Sequence, residues 1–219
     1  MKIIICGDST AAAYNPEETL MTGWGQRLGA YIPDAEIRNH AMAGRSTRTF
    51  LSEGRLERAA AELDAGDLML IQFGHNDENS EKPERYADPD KAYPENLGLF
   101  VRAAREKGAV PVLMTPICIR NWKDGRLESS HGVYPQAVRE TAAKLGVPLV
   151  DLYKDSLRIV DAAGEENSRT LFMNLAPGED PREPEGRTDN AHTRLAGADQ
   201  FARAAALRLA ELHLASCIL

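Results

Sequence analysis

The apolar positions of the chain fall into two kinds of run. Residues 3–6, 68–73 and 110–115 form short, almost wholly apolar runs, and the first two end at a glycine. Runs of this kind are typical of strands in a parallel sheet that is covered on both faces. Weaker runs over residues 35–41 and 147–150 bring the predicted strands to five.

Between these strands the apolar residues recur at helical spacing. The pattern predicts helices over residues 51–63, 96–107, 134–145, 152–160 and 195–214. It also predicts a helix starting at Ala11, directly after the first strand, and another that ends near Tyr31, whereas the polar passage up to Thr193 indicates turns. This alternation favours a parallel sheet with helices on both faces, in one domain over residues 1–219.

Composition narrows the classes of partner. The chain has 219 residues and a formal net charge of −7, without a cluster of basic residues, which argues against nucleic acid and anionic membranes as partners. Three cysteines cannot form a complete set of intrachain disulfides. Because the first apolar run is too short for a signal-peptide core, the sequence predicts a cytoplasmic protein. The oligomeric state is left open.

Residues with catalytic chemistry follow the predicted strands. Ser9, Gly44 and Asn76 come after the first three strands, and Asp189 and His192 lie near the end of the polar passage. In an open α/β sheet, loops at the carboxyl ends of the strands form the ligand site. Ester hydrolysis needs a nucleophile, a base, a group that orients the base, and donors for the oxyanion. We expect Ser9, His192 and Asp189 to fill the first three roles, and Ser9, Gly44 and Asn76 to form the oxyanion hole.

These blocks give the chain a family resemblance. The sequence resembles the SGNH (GDSL-type) hydrolases, and within them the rhamnogalacturonan acetylesterase-like group. The segments that carry the resemblance run from the first strand to the last helix: Gly7-Asp8-Ser9-Thr10-Ala11-Ala12, Gly23-Trp24-Gly25-Gln26, the stretch from Asn39 to Phe50, Gln72-Phe73-Gly74-His75-Asn76-Asp77, and Asp189-Asn190-Ala191-His192.

The resemblance implies a fold and an activity. The fold is a flavodoxin-like three-layer αβα sandwich with a five-stranded parallel sheet. The activity is that of a serine esterase, without metal or other cofactor, which removes O-acetyl groups from carbohydrate of the pectin or rhamnogalacturonan type, or of the xylan type. The sequence departs from the family pattern at Thr193, where an aromatic residue is expected after the histidine.

Four more residues are candidates for binding substrate. Arg45 and Arg48 flank Gly44 and could meet a uronic acid carboxylate, or form structural salt bridges. Trp122 could stack on a sugar ring, or cover the edge of the core. His75 could be a second base, or a group that packs or hydrogen-bonds its loop.

Alternatives from other classes stay open at this point. A small-acyl lipase or thioesterase would use the same catalytic residues to hydrolyse an ester or thioester whose acyl group is not attached to a sugar. A metal-dependent phosphoesterase could be built from Asp8, His40, Asn76, Asp77 and His192, and chelator sensitivity would reveal it. A non-catalytic carbohydrate-binding protein would show affinity for sugar without turnover of any ester.

Overall fold

A computed structural model describes residues 1–218. The strands within this range are β1 (Lys2–Gly7), β2 (Glu36–Asn39), β3 (Leu68–Gln72), β4 (Val110–Met114), β5 (Trp122–Lys123), β6 (Arg126–Leu127), β7 (Leu149–Val150), β8 (Phe172–Leu175) and β9 (Arg187–Thr193). The helices are α1 (Trp24–Arg27), α2 (Thr47–Ser52), α3 (Arg55–Ala61), α4 (Ala92–Glu106), α5 (Tyr134–Leu145), α6 (Leu152–Asn167) and α7 (Leu195–Glu211). Two short 3₁₀ turns cover Leu28–Ala30 and Ser168–Leu171.

The central sheet has five parallel strands in the order β2-β1-β3-β4-β7. Ile3 and Ile5 of β1 pack into one hydrophobic cluster with α1, α6 and α7, whereas Ile4 and Cys6 pack into another with α2 to α5. Successive residues of a strand point to opposite faces, so a strand buried on both faces must be apolar throughout. The predicted fold class, an αβα arrangement around a five-stranded parallel sheet, is confirmed.

The helix expected at Ala11 is absent, and this prediction was wrong. The chain makes a turn in which the N–H of Ala11 donates to the Asp8 carbonyl, and Trp24 N–H donates to the Thr10 carbonyl. A Cβ atom on Gly23 would lie 2.2 Å from the Ala12 carbonyl oxygen. The backbone of Gly23 therefore packs directly against the backbone of Ala11 and Ala12, which leaves no room for a side chain at residue 23.

Two further predictions needed correction. The helix expected over residues 51–63 is two helices, α2 and α3, separated at Gly54, whose φ of +64° favours glycine. The polar passage before Thr193 contains the strand β9, which pairs antiparallel with β8. A strand with few apolar residues shows little hydrophobic periodicity in its sequence. Strand β9 is therefore recognised from its pairing with β8 in the structure.

The remaining boundaries agree to within a few residues, except at α4 and α6. Helix α4 begins at Ala92 and not at residue 96, and α6 extends to Asn167 with a break at Gly164. None of the helices formed by residues 1–218 is long and apolar enough to cross a membrane.

Candidate active site

The loops that follow β1, β2 and β3 are tied together at the carboxyl edge of the sheet. Met42 N–H, in the loop after β2, donates to the Gly7 carbonyl at 3.0 Å. Asn76 Nδ2, in the loop after β3, donates to the Arg45 carbonyl at 3.1 Å. Ser9 lies just beyond Gly7, so these bonds bring the three predicted blocks to one place.

The hairpin of β8 and β9 supplies the fourth block. Thr193, at the end of β9, accepts from Thr22 N–H through its carbonyl at 2.9 Å and donates its hydroxyl to the Thr22 carbonyl at 2.6 Å. Thr193 is 2% exposed. The residue that departs from the family pattern thus anchors the strand that carries His192 to the loop before α1.

A hydrogen-bond chain joins Ser9, His192 and Asp189. His192 Nε2 lies 2.9 Å from Ser9 Oγ, and Nδ1 lies 2.8 Å from Asp189 Oδ2. Asp189 Oδ1 accepts from the backbone N–H groups of Ala191 and His192, both at 3.0 Å. The carboxylate acts as the acceptor for Nδ1–H, which leaves Nε2 free to accept the serine proton. This is the geometry of an activated nucleophile.

Arg187, which the sequence analysis did not single out, also binds this carboxylate. Its NH2 donates to Asp189 Oδ2 at 2.7 Å, and its NH1 donates to Glu183 Oε1 at 3.2 Å. Residues two apart on a strand share a face, so the signal was present in the sequence but required recognition of β9.

The surroundings of Asp189 keep it ionised. Burial alone would raise the pKa of Asp189, but the hydrogen bonds from the His192 side chain and backbone, the charge of His192 and the Ala191 N–H outweigh it. The pKa of Asp189 is therefore well below its ordinary value. An ionised carboxylate stabilises the imidazolium that forms when His192 takes a proton.

Three donors are available near Ser9 for a developing oxyanion. Across residues 1–218, neither the Ser9 N–H nor the Gly44 N–H has a hydrogen-bond acceptor. Gly44 has a φ of +76°, a conformation that glycine adopts at no steric cost. Asn76 Nδ2 carries two hydrogens and uses one on the Arg45 carbonyl, so the second is free to donate.

A second pair of acid and histidine involves Asp8, the residue before Ser9. Asp8 is fully buried, and its Oδ2 lies 3.4 Å from Nδ1 of His75, in ion-pair range but without hydrogen-bond alignment. The His75 ring packs edge-on against His131, with the centroids 4.3 Å apart. His131 Nδ1 lies 3.0 Å from Glu78 Oε2, and its Nε2 lies 2.8 Å from the Ile117 carbonyl.

In this buried pair, each group favours the charged form of the other. Burial alone would raise the pKa of Asp8, but the charge of His75 and the hydrogen bonds from Thr10 outweigh it, so the pKa is lowered. Burial alone would lower the pKa of His75, but the nearby Asp8 outweighs it, so the pKa is raised. Burial and the charge of His75 together lower the pKa of His131 despite its contact with Glu78.

Three of the candidate substrate-binding side chains make contacts within the protein. Arg45 Nε lies 3.1 Å from Glu53 Oε2. Arg48 donates to the Pro83 carbonyl at 3.2 Å. Trp122, on β5, donates through Nε1 to Ser168 Oγ at 3.1 Å and packs against the edge of the core.

Arg85, absent from the sequence analysis, lies beside two predicted oxyanion-hole residues. Its NH1 is 3.4 Å from Asn76 Oδ1, and a Cβ atom built on Gly44 would lie 3.6 Å from both of its terminal nitrogens. The sequence offered no signal for this residue, because it comes from the long polar loop before α4.

The donors considered for a phosphoesterase metal site are engaged separately. His40 Nε2 lies 3.1 Å from Glu62 Oε1, and Asp77 Oδ1 accepts from Thr47 N–H at 2.9 Å. In the part of the chain up to Ile218, the structure shows no group of three or more His, Cys, Asp or Glu side chains that could hold a metal ion.

Comparison with known proteins assigns the family. The model of the GDSL-like Lipase/Acylhydrolase family matches residues 5–198. The chain belongs to this family. It is 40% identical over 216 residues to "Rhamnogalacturonan acetylesterase RhgT" of Bacillus subtilis (strain 168), covering 98% of this chain and 91% of that protein. It is 37% identical over 213 residues to "Probable rhamnogalacturonan acetylesterase YesY" of the same organism, covering 97% and 94%.

A solved structure supports the same assignment. The crystal structure of protein YXIM_BACsu from Bacillus subtilis superposes with a TM-score of 0.82 at 28% identity, over 97% of this chain and 56% of that one. The acetylxylan esterase Axe2 from Geobacillus stearothermophilus shares the fold, with a TM-score of 0.67 at 18% identity, over 95% of this chain and 93% of that one. The expected resemblance to SGNH (GDSL-type) hydrolases, and the expectation of a carboxylic ester hydrolase, are confirmed.

Proposed function

We propose that this GDSL-family protein is a carbohydrate acetylesterase that removes O-acetyl groups from pectin-type oligosaccharides through Ser9, His192 and Asp189. The observation that carries the proposal is the continuous hydrogen-bond chain between these three side chains, with 2.9 Å and 2.8 Å links. The unpaired N–H groups of Ser9 and Gly44 support it. The similarity of the chain to rhamnogalacturonan acetylesterases also supports it.

The proposed reaction begins with proton transfer. His192 Nε2 takes the hydroxyl proton of Ser9 as Oγ attacks the acetyl carbonyl carbon, and the carbonyl π electrons move to its oxygen. As the tetrahedral intermediate collapses, the bond to the sugar oxygen breaks and His192 protonates that oxygen. Water, deprotonated by His192, then attacks the acetyl-serine. The bond to Ser9 Oγ breaks, His192 returns the proton to that oxygen, and acetate leaves. Asp189 holds the imidazole orientation throughout.

The proposed oxyanion hole uses the N–H groups of Ser9 and Gly44 and the side-chain amide of Asn76. Donors that are already in position act without reorganisation at the moment when charge develops, which is why they contribute strongly to the rate. The bond from Asn76 to the Arg45 carbonyl fixes the plane of the amide before substrate arrives.

The acyl group and its carrier follow from the surroundings of Ser9. The neighbouring groups are small or polar, namely Gly44, Asn76 and Arg85, which suits a short acyl group on a hydrophilic carrier more than a long lipid chain. A xylan-type carrier is the second candidate, favoured by the shared fold with an acetylxylan esterase. The cytoplasmic location expected from the sequence remains a prediction.

Acetate release tests the proposal. Purified protein is incubated with acetylated pectin oligosaccharides, acetylated xylan oligosaccharides and simple sugar acetates, with EDTA and in parallel without it, and acetate is quantified. We expect release from the pectin-type substrates and its loss in Ser9→Ala. Ser216→Ala, an exposed serine near the end of the chain, is the matched control and should keep full activity.

Three outcomes would contradict the proposal. If Ser9→Ala releases acetate at the wild-type rate, Ser9 is not the nucleophile. If the folded wild type releases acid from no ester and binds sugar without turnover, a binding protein becomes the better interpretation. Activity that EDTA abolishes would favour the metal-dependent alternative.

A further inference from the structure

Arg85 is held next to the proposed oxyanion hole by the loop that carries it. Arg85 N–H and Tyr86 N–H both donate to the Lys82 carbonyl, which forms a turn, and Ala87 N–H donates to the Asp77 carbonyl at 3.0 Å. The turn is therefore attached to the residue that follows Asn76. Its fixed position places the Arg85 guanidinium 3.4 Å from Asn76 Oδ1.

Other arginines around the site have carboxylate partners. The partners and separations are Arg45 to Glu53 at 3.1 Å, Arg187 to Asp189 at 2.7 Å, Arg182 to Asp180 at 2.8 Å, and Arg194 to Glu179 at 2.8 Å. Arg85 Nε lies 3.7 Å from Glu84 Oε1, and the Glu84 side chain is 64% exposed. An exposed pair at that distance neutralises little charge. Arg85 therefore brings a largely uncompensated positive charge to the site.

Arg48 has a different role. Its NH1 donates to the Pro83 and Tyr86 carbonyls, which lie on either side of Arg85 in the sequence. Arg48 thereby braces the turn that presents Arg85. Arg45 and Arg48, the two arginines expected to meet a substrate carboxylate, are thus engaged by Glu53 and by backbone carbonyls, whereas Arg85 is paired only with an exposed glutamate among residues 1–218.

We propose that Arg85 binds a carboxylate of the substrate, so that the enzyme selects acetylated uronic acid residues over neutral acetylated sugars. The inference rests on the proposed function and specifies its substrate. A guanidinium presents two parallel N–H donors that match the two oxygens of a carboxylate. The Arg85 side chain is 32% exposed, so it is accessible to a ligand.

The position of Arg85 fits a carboxylate close to the reacting ester. The Asn76 amide offers Nδ2 toward the oxyanion and Oδ1 toward Arg85, so one amide group separates the two sites. An acid group on the acetylated sugar, or on the sugar next to it, can reach the guanidinium while the acetyl carbonyl occupies the oxyanion hole. The whole chain has a net charge of −7, and a cation at the site offsets the repulsion that this charge exerts on an anionic substrate.

The competing role for Arg85 is purely positional. Its contact with Asn76 Oδ1 could serve only to orient the amide, in which case its loss would impair every acetyl ester equally. A pair of substrates that differ only in charge separates the two roles.

The test uses an acetylated methyl galacturonoside and its primary amide. Values of kcat/KM for acetate release are measured for the wild type, Arg85→Gln, Arg85→Lys and Arg102→Gln, with thermal melts to verify folding. Arg102 is exposed on α4, away from the carboxyl edge of the sheet, so its variant makes the same change in net charge without touching the site.

We expect the wild type to prefer the acid over the amide, and Arg85→Gln to reduce that preference about tenfold, mainly through KM, as loss of a charge-assisted hydrogen bond predicts. Arg85→Lys should restore part of the preference, and Arg102→Gln should keep all of it.

An unchanged acid-to-amide ratio in Arg85→Gln overturns the inference. If kcat falls by the same factor for both substrates in Arg85→Gln, Arg85 only positions Asn76, and the esterase proposal stands. If the wild type releases acetate from no ester, the proposed function itself fails and takes this inference with it.

Discussion

Two acid–histidine pairs lie on either side of Ser9, and they differ in exposure and alignment. In the outer pair, Asp189 and His192 are hydrogen-bonded at 2.8 Å, and the His192 side chain is 30% exposed. In the inner pair, Asp8 and His75 lie 3.4 Å apart without hydrogen-bond alignment, and the His75 side chain is 9% exposed. The outer imidazole can exchange protons with substrate and water, whereas the inner one is enclosed by protein.

The difference shows that proximity to a nucleophile does not make a histidine a base. A base must direct a lone pair at the proton that it removes and must be held in the right tautomer. His192 meets both conditions through Ser9 Oγ and Asp189. In the inner pair, neither ring nitrogen of His75 has a hydrogen-bond partner among residues 1–218, and the ring packs against His131.

The largest effect is expected from the outer histidine. His192→Ala removes the proposed base, so kcat for acetate release should fall about 10⁴-fold or more. Thermal stability should change little, since the side chain is partly exposed. Single-turnover acetate assays measure the loss, with His213→Ala, an exposed residue beyond α7, as the control. Retention of more than a tenth of the activity would exclude His192 as the base.

The next effect concerns the oxyanion hole. Asn76→Ala removes one proposed donor and should lower kcat about 10²- to 10³-fold, with the melting temperature close to that of the wild type. Asn79→Ala, in the same loop, is the matched control. Near-native turnover in Asn76→Ala would remove this side chain from the mechanism.

A substitution at His131, whose ring packs against His75 of the inner pair, should lower stability without changing the rate of acetate release. His131 has a φ of +65°, and its ring contacts Glu78 and the Ile117 carbonyl. His131→Asn tolerates this backbone conformation but loses the ring contacts, which should lower the free energy of unfolding by about 2 kcal/mol. Urea denaturation measures this, alongside acetate release per folded molecule. Loss of activity in a fully folded variant would mean that the inner region takes part in catalysis.

The smallest effect concerns Asp77, which is next to the inner pair. Burial raises the pKa of Asp77 to about 7, even though hydrogen bonds from Thr47 lower it. A carboxyl in the unfolded chain titrates near 3.9, so the folded state retains this proton as the pH rises above about 4. The contribution of Asp77 to folding stability must then decline between about pH 4 and pH 7.

Asp77→Asn cannot ionise and should abolish this decline. Relative to the wild type, the variant should gain on the order of 1 kcal/mol of unfolding free energy between about pH 6 and pH 7. Parallel denaturation curves across this pH range test it. Identical pH dependence in the two proteins would show that Asp77 is ionised in the folded state, held by the Thr47 hydrogen bonds.

The partners of the arginines in polar segments could not be predicted from the sequence, because contacts between distant segments determine them. Arg45 and Arg48 flank Gly44 in the sequence, but Arg45 pairs with Glu53 and Arg48 holds the turn at residues 83–86. Arg85 reaches Asn76 only because that turn is bonded to Asp77. Likewise, Arg187 reaches Asp189 because β9 pairs with β8.

The five-stranded parallel sheet, and the loops in which Ser9, Gly44 and Asn76 lie, could be predicted from the amino-acid sequence alone. A strand that is buried on both faces must be apolar at nearly every position, and such an apolar run is visible in the sequence. Which polar side chains meet depends on tertiary contacts: a 2.9 Å contact joins residues 9 and 192, and a turn between β3 and α4 brings Arg85 to 3.4 Å from Asn76 Oδ1. A polar side chain takes its partner from whichever segments the folded core brings within hydrogen-bond range, and no local periodicity encodes that choice.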